Sequence, residues 1–132
     1  MIRFSVSMEK DLAEKFDRYL EKKGTNGRSA GIRLLIREKL IEEGIRNPQT
    51  EVYGIISYIY DYTKSDLENR LTELQHKNKG LIIITSHIHL DEHNCLEMVT
   101  VKGQSISVQR LAEEIESNKG IKSVKKLMTE VV

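Results

Sequence analysis

The chain has 132 residues, which is room for one ordinary domain or two very small ones. With 39% hydrophobic and 31% charged residues, the composition is typical of a folded, soluble protein, and a net charge of +1 excludes a bulk basic field as an argument for nucleic-acid binding. One cysteine excludes an intrachain disulfide framework, and no apolar run has the length of a signal peptide or of a membrane span, which needs roughly 20 residues. We therefore expect a cytoplasmic protein that does not associate with membranes.

The first 44 residues predict a strand followed by two helices. Apolar and polar side chains alternate in "IRFSVS" with the period of a half-buried strand, with Ile2, Phe4 and Val6 on one face and Arg3, Ser5 and Ser7 on the other. From Lys10 the apolar spacing becomes helical, Gly24 is typical of a helix end, and Ser29 is the predicted N-cap of the second helix. This unit contains no second strand, so we expect pairing with the same strand of another chain in a two-fold dimer.

Residues 45–51 contain the chain's only proline, Pro48, and predict a linker to a second domain at 52–132. This domain begins with a β-rich run at 52–61, followed by a helix with Ser65 as its cap and Gly80 at its end. The runs "LIIITSHIH" and "CLEMVTVK" predict a hairpin, and a further helix and a final strand complete the chain. The order β-α-β-β-α-β predicts a ferredoxin-like fold, so the fold class is α+β.

The nine residues "HIHLDEHNC" hold three of the four histidines and the only cysteine. His87 and His89 are two residues apart on a predicted strand, so their rings share one face, and Cys95 opens the next strand across a short turn. Two imidazoles and a thiolate suit Ni(II), Cu(II), Co(II) or Zn(II) rather than Mg²⁺ or Ca²⁺. The spacing favours no one of these metals, although zinc is the commonest in such sites. A fourth ligand is needed, and His76, at the end of the preceding helix, can reach the hairpin of a neighbouring chain in a symmetric oligomer.

Two other functions compete with metal sensing. A cysteine hydrolase would use Cys95 with His89 or His93, but the sequence predicts neither a helix N-terminus at Cys95 nor an oxyanion hole. An antitoxin-like DNA-binding module without an effector leaves the His/Cys cluster unexplained. We therefore predict a protein that is not an enzyme.

Residues 1–43 resemble the ribbon-helix-helix family, through the strand "RFSVS" and the helix start "NGRS". In that family two antiparallel strands enter the major groove of DNA and read base edges. In the same family the N-terminus of the second helix binds a phosphate group of the DNA backbone. The resemblance implies that six residues contact DNA: Arg3, Ser5 and Ser7 in the groove, and Arg28, Ser29 and Arg33 at the backbone.

The whole chain resembles the nickel-responsive transcriptional regulator family (NikR). The motifs that carry the resemblance are "SYIY" at 57–60, "QH" at 75–76, "HIH" at 87–89 and "CLE" at 95–97. The resemblance implies a ribbon-helix-helix domain followed by a ferredoxin-like, ACT-type domain. It also implies a homotetrameric repressor, a dimer of dimers, that binds one Ni(II) per subunit and an operator in double-stranded DNA. The implied targets are nickel uptake genes.

The family's high-affinity nickel site is square planar and is shared between subunits. Its implied ligands here are His87, His89 and Cys95 of one subunit and His76 of an adjoining one. Tyr60 and Glu97 match positions next to this site, and Glu97 shares the Cys95 face of its strand, so a hydrogen bond to the ligands is expected. His93 is expected to be a solvated turn residue.

One departure concerns a second cation site, which well-known members hold with carboxylates on the second helix of the DNA-binding domain. The matching positions here are Ala30 and Leu34, which cannot act as ligands. If the second site is absent, the coupling between nickel and DNA affinity is expected to be built differently or to be weaker. The alternatives within regulation are a sensor of another transition metal and a regulator that binds an amino acid through its ACT-type domain.

Overall fold

The computed structural model describes residues 1–64 and 66–132, so the predicted cap Ser65 lies outside the described residues. The described chain separates into two compact units, Met1–Leu40 and Ile41–Val132. Among the described residues, no helix combines the length and the apolar character needed to cross a membrane.

The first unit contains helix α1 at Lys10–Lys23 and most of helix α2 at Arg28–Arg46. Gly24 ends α1 in the left-handed conformation, with φ of 68°, as the sequence predicts. The prediction that Ser29 is the N-cap of α2 is wrong, because the helix begins at Arg28 and its first turn is closed by a hydrogen bond from the Gly31 amide to the Gly27 carbonyl. Gly27 has a φ of +93°, which lets the chain turn directly into the helix.

Residues 1–9 form neither helix nor strand in the isolated chain. The side chains of the predicted apolar face are exposed to solvent, with relative exposures of 89% for Ile2, 69% for Phe4 and 58% for Val6. None of these residues pairs with a strand in residues 1–64 and 66–132, and a single strand cannot satisfy its own backbone hydrogen bonds. Their pairing with a second chain stays a prediction.

The second unit carries a four-stranded antiparallel sheet with the strand order β2-β3-β1-β4. The order of elements is the predicted β-α-β-β-α-β, with β1 at Glu51–Asp61, α3 at Leu67–Lys77, β2 at Ile82–His89, β3 at Asn94–Gln104, α4 at Ser105–Glu116 and β4 at Ile121–Thr129. Helix α2 extends to Arg46, two residues into the predicted linker, and α3 ends at Lys77 rather than at Gly80. Antiparallel pairing places β1 and β3 at the centre and leaves β2 and β4 as edge strands.

Alternate residues of the two central strands pack with α3 and α4 in one hydrophobic core. The largest members of this core are Ile56, Tyr58, Tyr60, Leu67, Leu71, Leu111 and Ile115. The opposite face of the sheet, which we call the open face, is also apolar but is exposed. It carries Tyr53, Ile55, Ile84, Ile88, Met98 and Leu127. The core face is the one that positions the histidine and cysteine side chains.

Candidate metal centre

The pairing of β2 with β3 places the predicted metal ligands in adjacent positions. His89 is the direct partner of Cys95, and His87 is the partner of Glu97, so all four side chains share the core face of the sheet. Cys95 is buried, whereas both histidines are exposed because β2 is an edge strand. The centroids of the two imidazole rings are 6.2 Å apart.

Two tyrosines of β1 lie opposite Cys95 and Glu97, on the side of β3 that faces away from β2. Tyr60 pairs with Cys95 and Tyr58 pairs with Glu97. One row across the sheet therefore reads His89, Cys95, Tyr60, and the next reads His87, Glu97, Tyr58. Both tyrosines are only 1% exposed, so their hydroxyl groups need partners inside the protein.

Glu97 is the shared acceptor for these groups. The hydroxyl of Tyr58 and the Nε2 of Gln75 both donate to its Oε1, and the hydroxyl of Tyr60 lies 3.4 Å from its Oε2. Gln75 Nε2 also donates to the Tyr58 hydroxyl over 2.9 Å. Burial raises the pKa of both tyrosines well above the usual range, and the Glu97 carboxylate adds to this effect. Both hydroxyl groups therefore keep their protons as donors.

The Cys95 thiol is held in its neutral form in this environment. Burial is the main cause that raises its pKa, and the negative charge of Glu97 acts in the same direction. A hydrogen bond with Tyr60 opposes these effects by favouring the thiolate. A metal ion that binds the sulfur must therefore displace a proton.

His76 lies in the last turn of α3, where its side chain is exposed. The preceding residue, Gln75, is partly buried and donates a hydrogen bond to Glu97. In the part of the chain that the structure describes, no three His, Cys, Asp or Glu side chains converge closely enough to hold a metal ion. The register thus brings His87, His89 and Cys95 to neighbouring positions without closing a site within one chain.

The donor set fits a borderline transition metal. Two imidazoles stand beside one thiol on paired strands, and nitrogen and sulfur donors of this kind are preferred by nickel, copper, cobalt and zinc. The nearest carboxylate, Glu97, is occupied by three hydrogen-bond donors, so it does not supply the oxygen-rich environment that Mg²⁺ or Ca²⁺ needs.

Comparison with known proteins identifies the family. The family model described as the NikR C-terminal nickel-binding domain matches residues 53–129, which is more than half of the chain. This chain belongs to the NikR family. A relative from Nitratidesulfovibrio vulgaris with the name "Putative nickel-responsive regulator" is 43% identical over 128 residues, covering 97% of this chain and 92% of the relative. A relative of the same name from Caldanaerobacter subterraneus is 40% identical over 129 residues, covering 98% of this chain and 84% of the relative.

Solved structures agree with the ferredoxin-like fold of the NikR C-terminal domain. An uncharacterized protein of Thermotoga maritima matches with a TM-score of 0.55 and 14% identity, covering 61% of this chain and 99% of the other. The ACT domain of a GTP pyrophosphokinase of Chlorobium tepidum matches with a TM-score of 0.50 and 13% identity, covering 58% of this chain and 86% of that domain. At these identities the likeness shows the fold alone, and the ACT-type prediction is confirmed at that level.

The NikR relatives are named as regulators and not as enzymes, which confirms the prediction of a non-enzymatic protein. The geometry at Cys95 agrees with this result. Cys95 is the first buried residue of β3, and the pKa of its thiol is raised. The side chain that hydrogen-bonds to this thiol is a tyrosine rather than a histidine base. A nucleophilic cysteine needs the opposite shift of its pKa.

Three residues near the ligands were not predicted from the sequence. Tyr58 could have been found, because it shares the strand face of Tyr60 by the period of two. Gln75 belongs to the "QH" motif of the family resemblance but was given no role, since only the packing of α3 brings its side chain to Glu97. Tyr62 follows β1, and its ring stacks on the His89 imidazole with the centroids 4.1 Å apart. His93 lies exposed in the hairpin turn, as predicted.

The predicted DNA-contacting residues of α2 lie together in its first turns. Arg33 Nη1 donates to Ser29 Oγ over 3.0 Å, and Arg28 makes a bidentate hydrogen bond to the carboxylate of Asp17, with both distances 2.8 Å. This pair is exposed, and it lowers the pKa of Asp17. The remaining predicted contacts, Arg3, Ser5 and Ser7, are exposed in the segment 1–9.

Proposed function

We propose that this chain is a nickel-responsive, DNA-binding transcriptional repressor that acts in the cytoplasm, where its operator DNA is. The observation that carries the proposal is the row His89, Cys95, Tyr60, which sets an imidazole beside a buried thiol on paired strands. The family of the chain is the reason for proposing nickel, since the family model that matches describes a nickel-binding domain.

The proposed site takes its ligands from two subunits and holds one Ni(II) per subunit. His87, His89 and Cys95 come from one subunit, and His76 comes from the partner subunit. The orientation of α3 supports this division, because the hydrogen bonds of Gln75 to Glu97 and Tyr58 fix the inner side of the helix end while His76 is exposed. An exposed imidazole at a helix end is available to a second chain.

Glu97 and Tyr60 are proposed to support the ligands rather than to bind the metal. Tyr60 contacts both Cys95 and Glu97, and it can donate a hydrogen bond to the sulfur when the thiol proton is lost. Hydrogen-bond partners of metal ligands commonly fix the orientation and the basicity of those ligands. The bound metal would supply a positive charge that stabilises the thiolate and joins two subunits.

Exposed apolar surface supports a homotetramer that is a dimer of dimers. The open face of the sheet exposes six large apolar side chains, and contiguous apolar patches of this kind mark protein interfaces. The exposed apolar side of residues 2–7 provides a second, separate surface for pairing. One surface would join the DNA-binding units in pairs, and the other would join the metal-binding domains.

The proposed DNA contacts follow from the ribbon-helix-helix arrangement of a dimer. Arg3, Ser5 and Ser7 would read bases of a double-stranded operator, and Arg28, Ser29 and Arg33 would contact phosphates. Nickel would favour the arrangement of the tetramer that engages two operator half-sites. This requires nickel to bind that arrangement more tightly than others, as linkage demands. The proposed targets are nickel uptake genes.

The test is DNA binding at fixed salt concentration with nickel, zinc, copper, cobalt or no metal. The operator is first enriched with the nickel-loaded full chain from a pool of random double-stranded DNA. We expect nickel to give the largest gain in affinity for the enriched sequence. Equal affinity with and without nickel would overturn the proposal, and a larger gain with another metal would assign the sensor to that metal.

The ligand set is tested by absorption spectroscopy of the nickel-loaded protein. Cys95→Ala should abolish the thiolate-to-nickel absorption while leaving the fold intact by circular dichroism. His93→Ala is the matched control, because this histidine lies in the same hairpin and is not a proposed ligand. Persistence of the band in Cys95→Ala would remove Cys95 from the site.

A further inference from the structure

Tyr62 makes a parallel aromatic contact with the proposed ligand His89. The planes of the two rings differ by only 6°, and their centroids are 4.1 Å apart. The tyrosine lies one residue beyond the end of β1, and His89 is the last residue of β2. The contact therefore joins the end of a central strand to the end of an edge strand, at the tip of the β2–β3 hairpin.

Tyr62 is itself attached to the turn that connects the ligand-bearing strands. Its backbone N–H donates to the carbonyl of His93 over 2.9 Å, and its hydroxyl donates to the carbonyl of Asp91 over 3.2 Å. The turn is closed further by Asp91, whose carboxylate accepts hydrogen bonds from the backbone amides of His93 and Asn94. The tyrosine ring is thus held at both ends, and its position is tied to that of the hairpin.

We propose that Tyr62 is a positioning residue that holds the His89 imidazole in the orientation needed for metal binding. His89 is exposed on an edge strand, so without a neighbour its side chain would sample several rotamers. Parallel stacking occupies one face of the imidazole and leaves both ring nitrogens accessible in the plane of the ring. The stack thus restricts the ring without competing with the metal.

The expected gain in nickel affinity follows from the rotational freedom of the His89 side chain that stacking removes. Ordering one side chain on binding, or adding one aromatic pair, changes an equilibrium about two- to tenfold. This inference rests on the proposed function, because it takes His89 as a nickel ligand. It goes beyond that proposal by assigning a role to a residue outside the metal-binding motifs.

The first test is nickel affinity of the full chain, measured by competition with a chelator. Tyr62→Leu should weaken nickel binding about two- to tenfold, and Tyr62→Phe should retain most of the affinity because it keeps the ring. Tyr19→Leu is the matched control, since it makes the same chemical change in α1 of the other unit. Wild-type affinity in Tyr62→Leu, or equal weakening in Tyr62→Phe and Tyr62→Leu, would overturn the stacking role.

The second test uses the metal-free full chain and does not depend on nickel. Ring current from Tyr62 should move the carbon-bound proton resonances of His89 upfield in the wild-type protein and in Tyr62→Phe. The shift should vanish in Tyr62→Leu and persist in Tyr19→Leu. A general loosening of the hairpin would instead change the resonances of its residues together. If Tyr62→Leu does not fold, the shift in the wild-type protein and in Tyr62→Phe still decides, and its absence overturns the inference.

Cys95→Ala in the same nickel titration separates the two proposals. If the wild-type protein binds nickel with thiolate absorption that Cys95→Ala loses, an unchanged Tyr62→Leu variant overturns only the role of Tyr62. If the wild-type protein shows no thiolate absorption with nickel, both the site and the role of Tyr62 are overturned.

Discussion

Replacing Glu97 by alanine should destabilise the metal-binding domain substantially, even in the absence of metal. Glu97 is 6% exposed, and its carboxylate accepts hydrogen bonds from Tyr58, Tyr60 and Gln75. It is therefore the only side-chain acceptor that the structure shows for the Tyr58 hydroxyl within residues 1–64 and 66–132. Its removal leaves a buried donor without a partner and a space between the sheet and α3.

The size of the effect can be worked out from these contacts. Gln75 keeps one acceptor after the substitution, the Tyr58 oxygen at 2.9 Å, so its loss is partial. Among the described residues the Tyr58 hydroxyl has no other side-chain acceptor for its proton, and an unsatisfied buried donor costs about 1–3 kcal/mol. The truncated side chain adds about 1 kcal/mol for lost packing. The expected loss in the free energy of unfolding is thus about 2–4 kcal/mol.

The assay is urea-induced unfolding of the metal-free full chain, followed by circular dichroism at one fixed protein concentration because of the expected oligomer. Glu97→Gln is the informative companion, since its amide oxygen can still accept from Tyr58 and Gln75, and a cost of about 1 kcal/mol or less is expected. Glu92→Ala, in the exposed hairpin turn, controls for the loss of a negative charge. A Glu97→Ala variant within about 0.5 kcal/mol of the wild-type protein would refute the reasoning.

Three further perturbations test other parts of the structure. Gly120→Ala should lower the free energy of unfolding by about 1–3 kcal/mol, because Gly120 has a φ of +105° and a Cβ would lie 2.8 Å from Leu67 Cδ2; wild-type stability in urea would contradict this. Nickel affinity should rise about tenfold per pH unit near neutrality, because burial raises the pKa of the Cys95 thiol and its proton must leave on binding; a pH-independent affinity would exclude thiolate ligation. Asp17→Asn should release Arg28 to contact a DNA phosphate, so DNA affinity should increase, and the plot of log binding constant against log salt concentration should become steeper by about one unit of slope. A weaker affinity would show that Asp17 positions Arg28 instead.

The parts of the fold that depend on local periodicity were predictable. Strand β1 was expected at 52–61 and occupies Glu51–Asp61, because its alternating side chains face a core on one side only. Gly24 was expected at a helix end, because glycine adopts the left-handed conformation without a steric penalty. The shared face of Cys95 and Glu97 follows from the same period of two, and both are buried.

The features that the sequence did not predict correctly depend on contacts that the periodicity of apolar residues does not reveal. The strand predicted at 2–7 needs hydrogen bonds from outside the chain, so it does not form in one copy. Ser29 has a good capping side chain, but Gly27 with its positive φ starts the helix earlier and leaves Ser29 as an acceptor for Arg33. Gln75 and Tyr62 act through packing and a turn, where sequence spacing does not determine which side chains meet.

The hydrogen bonds that converge on Glu97 predict which positions vary together among members of this family. Tyr58, Gln75 and Glu97 are each hydrogen-bonded to the other two, so a change at any of these positions removes one hydrogen bond from each of the remaining two. Single substitutions there are therefore disfavoured individually and tolerated only in combination. Among relatives, positions 58, 75 and 97 should change together, even though two of them lie on strands and one lies on a helix.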